Sequence, residues 1–345
     1  MRRDPDPSPL LEPAPEHAAL AWGVRAPARL HLGFLDPAGT LGRRYGSLGL
    51  AIDGFDTVVH LRRAARDHAG ASSATAQAAL PQALAHLDAL RRATGRHDNL
   101  QLLLDDAPPA HAGFGSGTQL ALAVGRAFAR LHGSSLSSRE LARITGRGLR
   151  SGVGIAAFDV GGLVLDGGPL ADGAPAPLLA RLALPPAWRI VLALDPQAQG
   201  LSGAAEQRAL AGVALPPPEA AAEICHQVLM RVLPGAAGAE FEPFAAGVSR
   251  MQAILGAHFA AAQHGSAFTS GAVQRVIESI ARHTAAACGQ SSWGPTGFAV
   301  LPSLEVAEQA LARARADGAV DPSLQVVIVR PREHGATLVA LPDAG

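Results

Sequence analysis

The sequence predicts an α+β protein with two domains behind a flexible tail, and three observations support this fold class. The chain has 345 residues, which is long for a single domain. Its residues are 48% hydrophobic and 17% charged, as in folded globular proteins. Strand-like apolar runs alternate with helical segments throughout, and the second half mixes helices with antiparallel-looking strands. We expect a proline-rich tail over residues 1–20, a first domain over 21–187 and a second over 188–345.

The first domain begins with two apolar stretches that are typical of strands, Gly23–Leu32 and Gly49–Leu61. A loop rich in glycine and arginine, Asp36–Ser47, joins them. The alanine- and leucine-rich segment Thr75–Thr94 predicts a helix, and the short apolar run Leu100–Leu104 predicts a buried strand.

The most informative segment follows that strand and reads P-A-H-A-G-F-G-S-G-T-Q over Pro109–Gln119. A glycine-rich turn that opens an apolar helix lets the backbone approach an anion, and the helix start supplies N–H donors and a positive dipole end. Ser116 or Thr118 is expected to cap this helix. The segment therefore predicts a phosphate site, and the alternative is a tight turn whose glycines serve packing only.

The remaining elements follow the same patterns. Ser137 or Ser138 is expected to cap a helix over Ser138–Thr145, and glycines over Arg147–Gly168 interrupt what would otherwise be strands. The strand Trp188–Leu194 is expected to open the second domain. Further helices are predicted at 216–233, 244–262, 273–287 and 305–317, and further strands at 297–301 and 324–330.

Composition excludes several classes of function. The 29 basic residues are all arginine, so a lysine-dependent phosphate loop or Schiff base is excluded. The formal net charge is zero and no arginine-rich window contains aromatics, so nucleic acid is not an expected partner. Cys225 and Cys288 lack metal or disulfide spacing. With no signal peptide or membrane-spanning run, we expect a cytoplasmic protein without a membrane partner. Base rates suggest a homodimer.

Three motifs in order resemble the GHMP kinase superfamily: Ala26–Phe34, Pro109–Thr118 and Gly289–Phe298. This resemblance implies a first domain like domain 2 of ribosomal protein S5 and a ferredoxin-like second domain. The kinase chemistry does not carry over, because Arg29 stands where those kinases usually have lysine. Their catalytic aspartate corresponds here to Gly154, which has no side chain to accept a proton or hold a metal.

A non-kinase branch, the family of β-ribofuranosylaminobenzene 5'-phosphate synthases, is a closer resemblance. The matching blocks are 29–36, 42–50, 113–124, 150–162, 200–206 and Gly289–Thr296, of which Q-S-S-W-G-P-T is the most distinctive. The resemblance implies that 4-aminobenzoate or 4-hydroxybenzoate condenses with 5-phosphoribosyl diphosphate. This is the first step of tetrahydromethanopterin biosynthesis, and it releases CO2 and diphosphate and forms a carbon–carbon glycosidic bond. Mg²⁺ is implied as the cofactor that offsets the charge of the leaving diphosphate.

Candidate site residues follow from these motifs, and each has a competing structural interpretation. His31 is a candidate to contact the substrate carboxylate or to protonate an intermediate, unless it is a hydrogen-bonded core histidine. The acids are candidate metal ligands that could instead cap turns or pair with arginine. The catalytic candidates are Arg29, His31 and Asp159; the phosphate-binding candidates are Gly113, Gly115, Ser116, Gly117, Thr118, Gln119, Arg147, Arg150 and Ser151; the acceptor-binding candidates are Gln290, Ser291, Ser292, Trp293 and Gly294; and the metal candidates are Asp36, Asp159 and Glu206.

Two other functions remain open at this stage. One is a divergent small-molecule kinase that uses ATP, and the other is a ligand-binding protein without catalysis on the same scaffold.

Overall fold

The computed structural model describes residues 21–200, 216–263 and 265–341, so the predicted tail lies outside the described residues. The strands are β1 (Ala21–Asp36), β2 (Tyr45–Arg63), β3 (His68–Ala71), β4 (Leu100–Asp106), β5 (Leu163–Asp166), β6 (Leu178–Leu182), β7 (Arg189–Leu194), β8 (Ala287–Gln290), β9 (Gly297–Leu301), β10 (Gln325–Val329) and β11 (Thr337–Ala340). The helices are α1 (Ala74–Thr94), α2 (Ser116–Leu131), α3 (Ser138–Ile144), α4 (Val153–Val160), α5 (Pro218–Gln227), α6 (Leu233–Ala237), α7 (Phe241–Phe259), α8 (Gly271–His283) and α9 (Leu304–Ala316). A π-helical turn covers Val228–Val232 and a 3-10 turn covers Ala260–Gln263.

The first sheet has the strand order β11-β1-β2-β4-β3, with β5 beside β2 and β6 beside β5. β2 is 19 residues long and pairs with β5 over Ser47–Leu50 and with β4 over Val58–Arg63. The register of β1 against β2 shifts between His31 and Gly33. Such a bulge bends a strand and redirects its side chains, so β1 changes direction at the first motif.

The second sheet has the strand order β10-β7-β9-β8, and every neighbouring pair is antiparallel. Along the chain, α8 lies between β7 and β8, and α9 lies between β9 and β10, which is the split βαβ arrangement of ferredoxin-like folds. Apolar residues of α8 and α9 pack on one face of this sheet, around Val191, Ala299 and Leu301. The expected α+β class is confirmed.

The two sheets share one apolar core. Leu30 and Leu50 of the first sheet belong to the same buried cluster as Ile190 and Phe298 of the second. Helices α5 and α7 contribute Ile224, Val248 and other residues to this cluster, so the cluster joins these helices to both sheets. A separate core joins α1 and α2 to the first sheet around Leu61, Leu102 and Phe128.

The structure differs from the sequence predictions at three places. The chain returns to the first sheet in β11, which pairs with β1, so the range 188–345 includes a strand of the first sheet. Without β11 the outer edge of β1 would leave backbone groups unpaired. The glycine-rich range Arg147–Gly168 contains helix α4, and the helix predicted over 273–287 ends at His283 because β8 begins at Ala287.

Candidate functional site

The glycine loop has the backbone geometry that an anion site requires, and we call this loop with the start of α2 the anion cradle. Gly113 and Gly115 have φ angles of 86° and 69°, so both occupy the left-handed region that favours glycine. Gly115 is the N-cap of α2 and no side chain bonds the first turn, so the prediction that Ser116 or Thr118 caps the helix was wrong. The reason is local: the residue at the cap position has no side chain. The N–H groups of Thr118 and Gln119 donate to the carbonyl of Gly115, so the amides of Ser116 and Gly117 and the positive end of the helix dipole remain for an anion.

Arg29 of β1 ties the first motif to this loop. Its backbone N–H donates to the carbonyl of Phe114 at 3.0 Å, and its Nη1 donates to the carbonyl of Gly113 at 2.8 Å. A Cβ at Gly115 would approach the guanidinium carbon of Arg29 to 2.8 Å, so glycine is needed there for the arginine to lie against the loop. The structure thus brings a predicted catalytic residue and the phosphate-binding candidates together.

A second arginine, Arg147, reaches the same end of α2. The guanidinium of Arg147 lies over Gly117, where a Cβ would come within 3.2 Å of Nη1. Arg147 Nη2 also meets Nε2 of the buried His86 at 3.5 Å. Burial, together with the positive charge of Arg147, lowers the pKa of His86 to about 4. A neutral imidazole can accept from the guanidinium, so His86 helps to position Arg147. Its location in the middle of α1 gave no indication of this role.

Ser151, a phosphate-binding candidate, forms side-chain hydrogen bonds at the start of α4. Its hydroxyl donates to Asp166 Oδ2 at 3.1 Å, and the N–H of Gly152 donates to the same oxygen at 2.7 Å. The other carboxylate oxygen of Asp166 accepts from the N–H of Gly168 at 2.8 Å. Burial raises the pKa of Asp166, while these hydrogen bonds oppose the shift. Sequence reasoning missed Asp166, although an aspartate between a strand and two glycines is typical of a turn.

The first turn of α2 packs directly on α4. Nε2 of the fully buried Gln119 donates to the carbonyl of Gly154 at 2.8 Å, and Gln119 Oε1 has no hydrogen-bond partner among the described residues. A Cβ at Gly154 would lie 3.0 Å from Cγ2 of Thr118. The position of the kinase aspartate is therefore occupied by closely packed backbone, which disfavours the kinase alternative.

The C-terminal motif is bonded to both the loop and β1. Ser291 Oγ donates to the carbonyl of Gly113 at 2.7 Å and accepts from the backbone N–H of His31 at 2.9 Å. The N–H of Ser292 donates to the carbonyl of His31 at 3.1 Å. Gly113 thus receives hydrogen bonds from Arg29 and Ser291 at one carbonyl, where the three sequence motifs meet. A Cβ at Gly113 would lie 2.6 Å from the carbonyl oxygen of Ser291.

A cavity lies beside this junction, and its volume is about 470 Å³ when the part open to solvent is included. The rings of Phe259 and Trp293 lie 5.0 Å apart, and His31 meets Phe34 edge-on with ring centroids 4.7 Å apart. Predicted acceptor residues and residues that sequence reasoning missed share its walls. These walls comprise His31, Gly33, Phe34, Gln252, Leu255, Gly256, Phe259, Gln263, Ala267, Gln290, Ser292 and Trp293.

His31 is uncharged at neutral pH. Burial lowers its pKa to about 3, and the positive charges of Arg29 and Arg150 lower it in the same direction. Arg150 therefore lies close enough to His31 for its charge to act on the ring. A neutral imidazole favours hydrogen bonding over proton donation as the role of His31.

The other acceptor candidates hold the motif in shape. The Oε1 of Gln290 accepts from the N–H of Thr269 at 2.7 Å, and its Nε2 donates to Gln263 Oε1 at 2.8 Å. The carbonyl of Trp293 accepts from Thr269 Oγ1 at 2.7 Å. Gly294 has a φ of 67°, and its N–H donates to the carbonyl of Ser291 at 3.0 Å.

The predicted metal ligands do not form a metal site in the described part of the chain. Asp36 accepts from the backbone N–H groups of Ala38, Gly39 and Leu41, which caps its own loop. Burial raises the pKa of Asp36, but these hydrogen bonds together lower it more, so the pKa lies below its ordinary value. Asp159 accepts from Ser138 at 2.5 Å at the end of α4 remote from the glycine loop. Within 21–200, 216–263 and 265–341, no three acids, histidines or cysteines are grouped to hold a metal. Glu206 lies outside these ranges.

No helix in the described ranges is both long enough and apolar enough to span a membrane.

Known proteins match both the motifs and the fold. The family described as GHMP kinases N terminal domain matches residues 79–162, from α1 to the end of α4. A homoserine kinase from Cytophaga hutchinsonii superposes with a TM-score of 0.63 at 17% identity, covering 94% of this chain and 99% of that one. Phosphomevalonate kinase from Streptococcus pneumoniae has a TM-score of 0.64 at 13% identity, covering 90% and 99%. At these identities the likeness shows a shared GHMP kinase fold.

Two relatives carry more sequence similarity. Beta-ribofuranosylphenol 5'-phosphate synthase from Archaeoglobus fulgidus is 33% identical over 296 residues, which cover 81% of this chain and 88% of that protein. The protein of the same name from Methanothermobacter thermautotrophicus is 30% identical over 295 residues, covering 80% and 88%. The similarity covers about four fifths of this chain. The chain belongs to the beta-ribofuranosylphenol 5'-phosphate synthase family, and it has the GHMP kinase fold.

Proposed function

We propose that the protein condenses 5-phosphoribosyl diphosphate with 4-hydroxybenzoate or 4-aminobenzoate, with loss of CO2 and diphosphate. The product would be a C-riboside at the first step of tetrahydromethanopterin biosynthesis. The observation that carries the proposal is the side-by-side arrangement of an anion cradle and an aromatic-lined cavity. The names of the relatives refer to a phenol, which favours the hydroxylated acceptor for this chain.

The proposed reaction balances without a proton from the protein. The ring carbon that bears the carboxylate attacks C1 of the ribosyl group, and the bond from C1 to diphosphate breaks with its electron pair on oxygen. The carbon–carboxylate bond then breaks, its electron pair restores the aromatic ring, and CO2 leaves. We therefore assign His31 a hydrogen-bonding role, because a pKa of about 3 leaves it neutral and the reaction requires no proton donor.

The phosphate groups would bind at the start of α2. The uncapped first turn offers backbone donors, and Arg29, Arg147 and Arg150 offer cationic groups that suit phosphate oxygens. Preorganised donors of this kind stabilise the charge that develops on the leaving diphosphate. Since Asp36 and Asp159 are engaged elsewhere, Mg²⁺ in this proposal accompanies the diphosphate as its counter-ion instead of binding a preformed protein site.

The test is release of labelled CO2 from carboxyl-labelled 4-hydroxybenzoate and, separately, 4-aminobenzoate. Release should require 5-phosphoribosyl diphosphate and should not occur when ATP replaces it. Retention of all label in both acids, with the folded protein and Mg²⁺ present, would overturn the proposal. ATP-dependent phosphorylation of a small molecule would instead support the kinase alternative.

The phosphate assignment has its own test in Arg150→Ala. We expect its KM for 5-phosphoribosyl diphosphate to rise by about tenfold or more, the order expected for losing a charge-assisted hydrogen bond. An unchanged KM would remove Arg150 from the donor site while leaving the reaction itself in place.

A further inference from the structure

Half of the residues that line the cavity lie in the first and third sequence motifs, and the other half lie on segments outside the motifs. Phe34 follows the bulge in β1, and Leu255, Gly256 and Phe259 lie on the last turns of α7. Ala267 completes the wall in the loop before α8. Together with Trp293 they give a surface of flat rings and aliphatic groups, which suits an apolar, planar molecule.

Two glycines allow α7 to approach β1 and the loop before α8 closely enough to form this wall. A Cβ at Gly33 would overlap with the side chains of Leu255 and Met251, and the φ of Gly33 is 139°. A Cβ at Gly256 would lie 2.7 Å from Cβ of Ala267. The wall therefore depends on small residues at the points where the segments touch.

One polar atom in the cavity has an unmet hydrogen bond. His31 is only 5% exposed, and its Nε2 has no partner among the described residues. Its backbone N–H and carbonyl are bonded to Ser291 and Ser292, which fixes the backbone from which the ring projects. The ring of His31 forms a hydrogen bond with the backbone of the same residue, and this bond raises the pKa of the ring. A bond that raises the pKa is one in which the ring is the donor. Because Nε2 is unpartnered, the donor is Nδ1, which leaves Nε2 as an acceptor.

We propose that this cavity is the binding subsite for a flat aromatic carboxylic acid, held between Phe34, Phe259 and Trp293, whose ring substituent donates a hydrogen bond to Nε2 of His31. The inference rests on the proposed function, because it identifies where the acceptor of that reaction binds. A para hydroxyl or amino group satisfies Nε2, and an acceptor-only substituent does not. The carboxylated carbon then lies at the opposite end of the ring, where it must meet the ribosyl group.

The hydrogen bond to His31 also has a consequence for reactivity. Electron density moves from the para oxygen or nitrogen to the carboxylated carbon as that carbon attacks the ribosyl group. The substituent becomes more acidic during this step, so its hydrogen bond to Nε2 strengthens, which is the condition for an interaction to accelerate a reaction. Bound phosphates would offset the charges of Arg29 and Arg150, which act on the same ring.

Filling the cavity is the first test of its occupant. Ala267→Leu places a larger side chain at the wall, and Ala261→Leu makes the same change at an exposed position of the neighbouring 3-10 turn. We expect Ala267→Leu to raise the KM for 4-hydroxybenzoate at least about tenfold and to leave the KM for 5-phosphoribosyl diphosphate within about twofold. Ala261→Leu should change neither value. Thermal unfolding of both variants reports whether they fold.

Equilibrium dialysis tests the same subsite without turnover. Wild-type protein should bind 4-hydroxybenzoate several-fold more tightly than 4-fluorobenzoate, which has a similar shape and no donor. In His31→Ala the two acids should bind equally. Ala267→Leu should weaken binding of both acids.

The outcomes separate this inference from the proposed function. Labelled CO2 release with unchanged acceptor KM and binding in folded Ala267→Leu overturns the subsite and leaves the reaction standing. Binding of both acids that is lost in Ala267→Leu, without any CO2 release, supports the subsite and overturns the reaction. Wild-type preference for 4-hydroxybenzoate that persists in His31→Ala overturns the hydrogen bond to Nε2.

Discussion

The anion cradle and the aromatic cavity lie side by side, but they are built in different ways. The cradle consists of backbone from one continuous glycine segment, with arginines placed around the start of α2. The cavity consists of side chains from β1, α7, the loop before α8 and the C-terminal motif. Backbone groups can serve a phosphate because its oxygens accept from any N–H. An aromatic ring requires shaped apolar walls, which only distant segments can assemble.

The largest effect is expected at Gly113, whose carbonyl joins the anion cradle to the motif that lines the cavity. A change at this position should affect both the cradle and the cavity. Gly113→Ala adds a Cβ at 2.6 Å from the Ser291 carbonyl and forces a non-glycine residue to a φ of 86°. We expect a loss of roughly 2–5 kcal/mol in the free energy of unfolding. Activity should fall about hundredfold, because the junction misplaces both substrates. Urea unfolding and steady-state kinetics measure the two effects.

Gly133→Ala is the matched control for that substitution. Gly133 has a φ of 61°, and a Cβ there would meet nothing within 4 Å. Only the backbone strain remains, which costs about 1 kcal/mol. Equal losses in the two variants would mean that the contact with Ser291 contributes nothing.

A change in the cradle alone should affect only the sugar donor. Arg147→Ala removes the guanidinium over Gly117, and we expect the KM for 5-phosphoribosyl diphosphate to rise about ten- to a hundredfold. The acceptor KM should stay within about twofold. Arg143→Ala, at an exposed position on α3, controls for the loss of one positive charge. A similar rise in the KM for 5-phosphoribosyl diphosphate in Arg143→Ala would mean that the effect comes from the overall electrostatic field of the protein and not from Arg147 at the site.

A change in the cavity alone should affect only the aromatic acceptor. Phe259→Leu removes the ring that faces Trp293, and we expect the acceptor KM to rise about fivefold with little change in the donor KM. Phe241→Leu is the same substitution in the same helix, against Trp188, and should cost stability only. A comparable rise in the acceptor KM in Phe241→Leu would contradict the view that Phe259 lines the cavity while Phe241 only packs in the core.

The smallest predicted effect concerns two buried histidines. His31 lines the aromatic cavity, and His86 contacts Arg147 beside the anion cradle. The folded pKa is about 3 for His31 and about 4 for His86, below the ordinary value of 6.5. Between pH 6.5 and about 4 the unfolded chain binds more protons at these residues, so the free energy of unfolding falls as the pH falls. His86→Gln should flatten this dependence in urea titrations at pH 7 and pH 5. An unchanged slope would mean that His86 charges in the folded state.

The sequence predicted the cradle better than the cavity. The glycine spacing at Gly113–Gly117 and the apolar face of α2 are local features, and the structure places a helix start there. The part of the cavity wall that α7 contributes was missed because its contacts are distant in sequence: Gln252 on α7 bonds to the Leu32 carbonyl, 220 positions earlier. No periodicity in α7 distinguishes a residue facing a cavity from one facing the core.

Local patterns also failed where tertiary packing decided the conformation. The segment Val153–Val160 is helical despite Gly154, because Asp166 receives the N–H of Gly152 at its start and α2 packs against its first turn. For Asp36 and Asp159 the sequence left metal binding and a structural role both open. In the structure their oxygens accept from nearby backbone or hydroxyl groups, as the structural alternative expects.

The sequence by itself determined most of the elements, the glycine loop and the membership of the family, because each depends on residues that are close together along the chain or match a motif. The tertiary structure alone decided which side chains face the cavity, that His31 is neutral and that Gly113 joins the motifs. These properties arise from burial and from contacts between the two sheets, and such contacts exist only after the chain has folded.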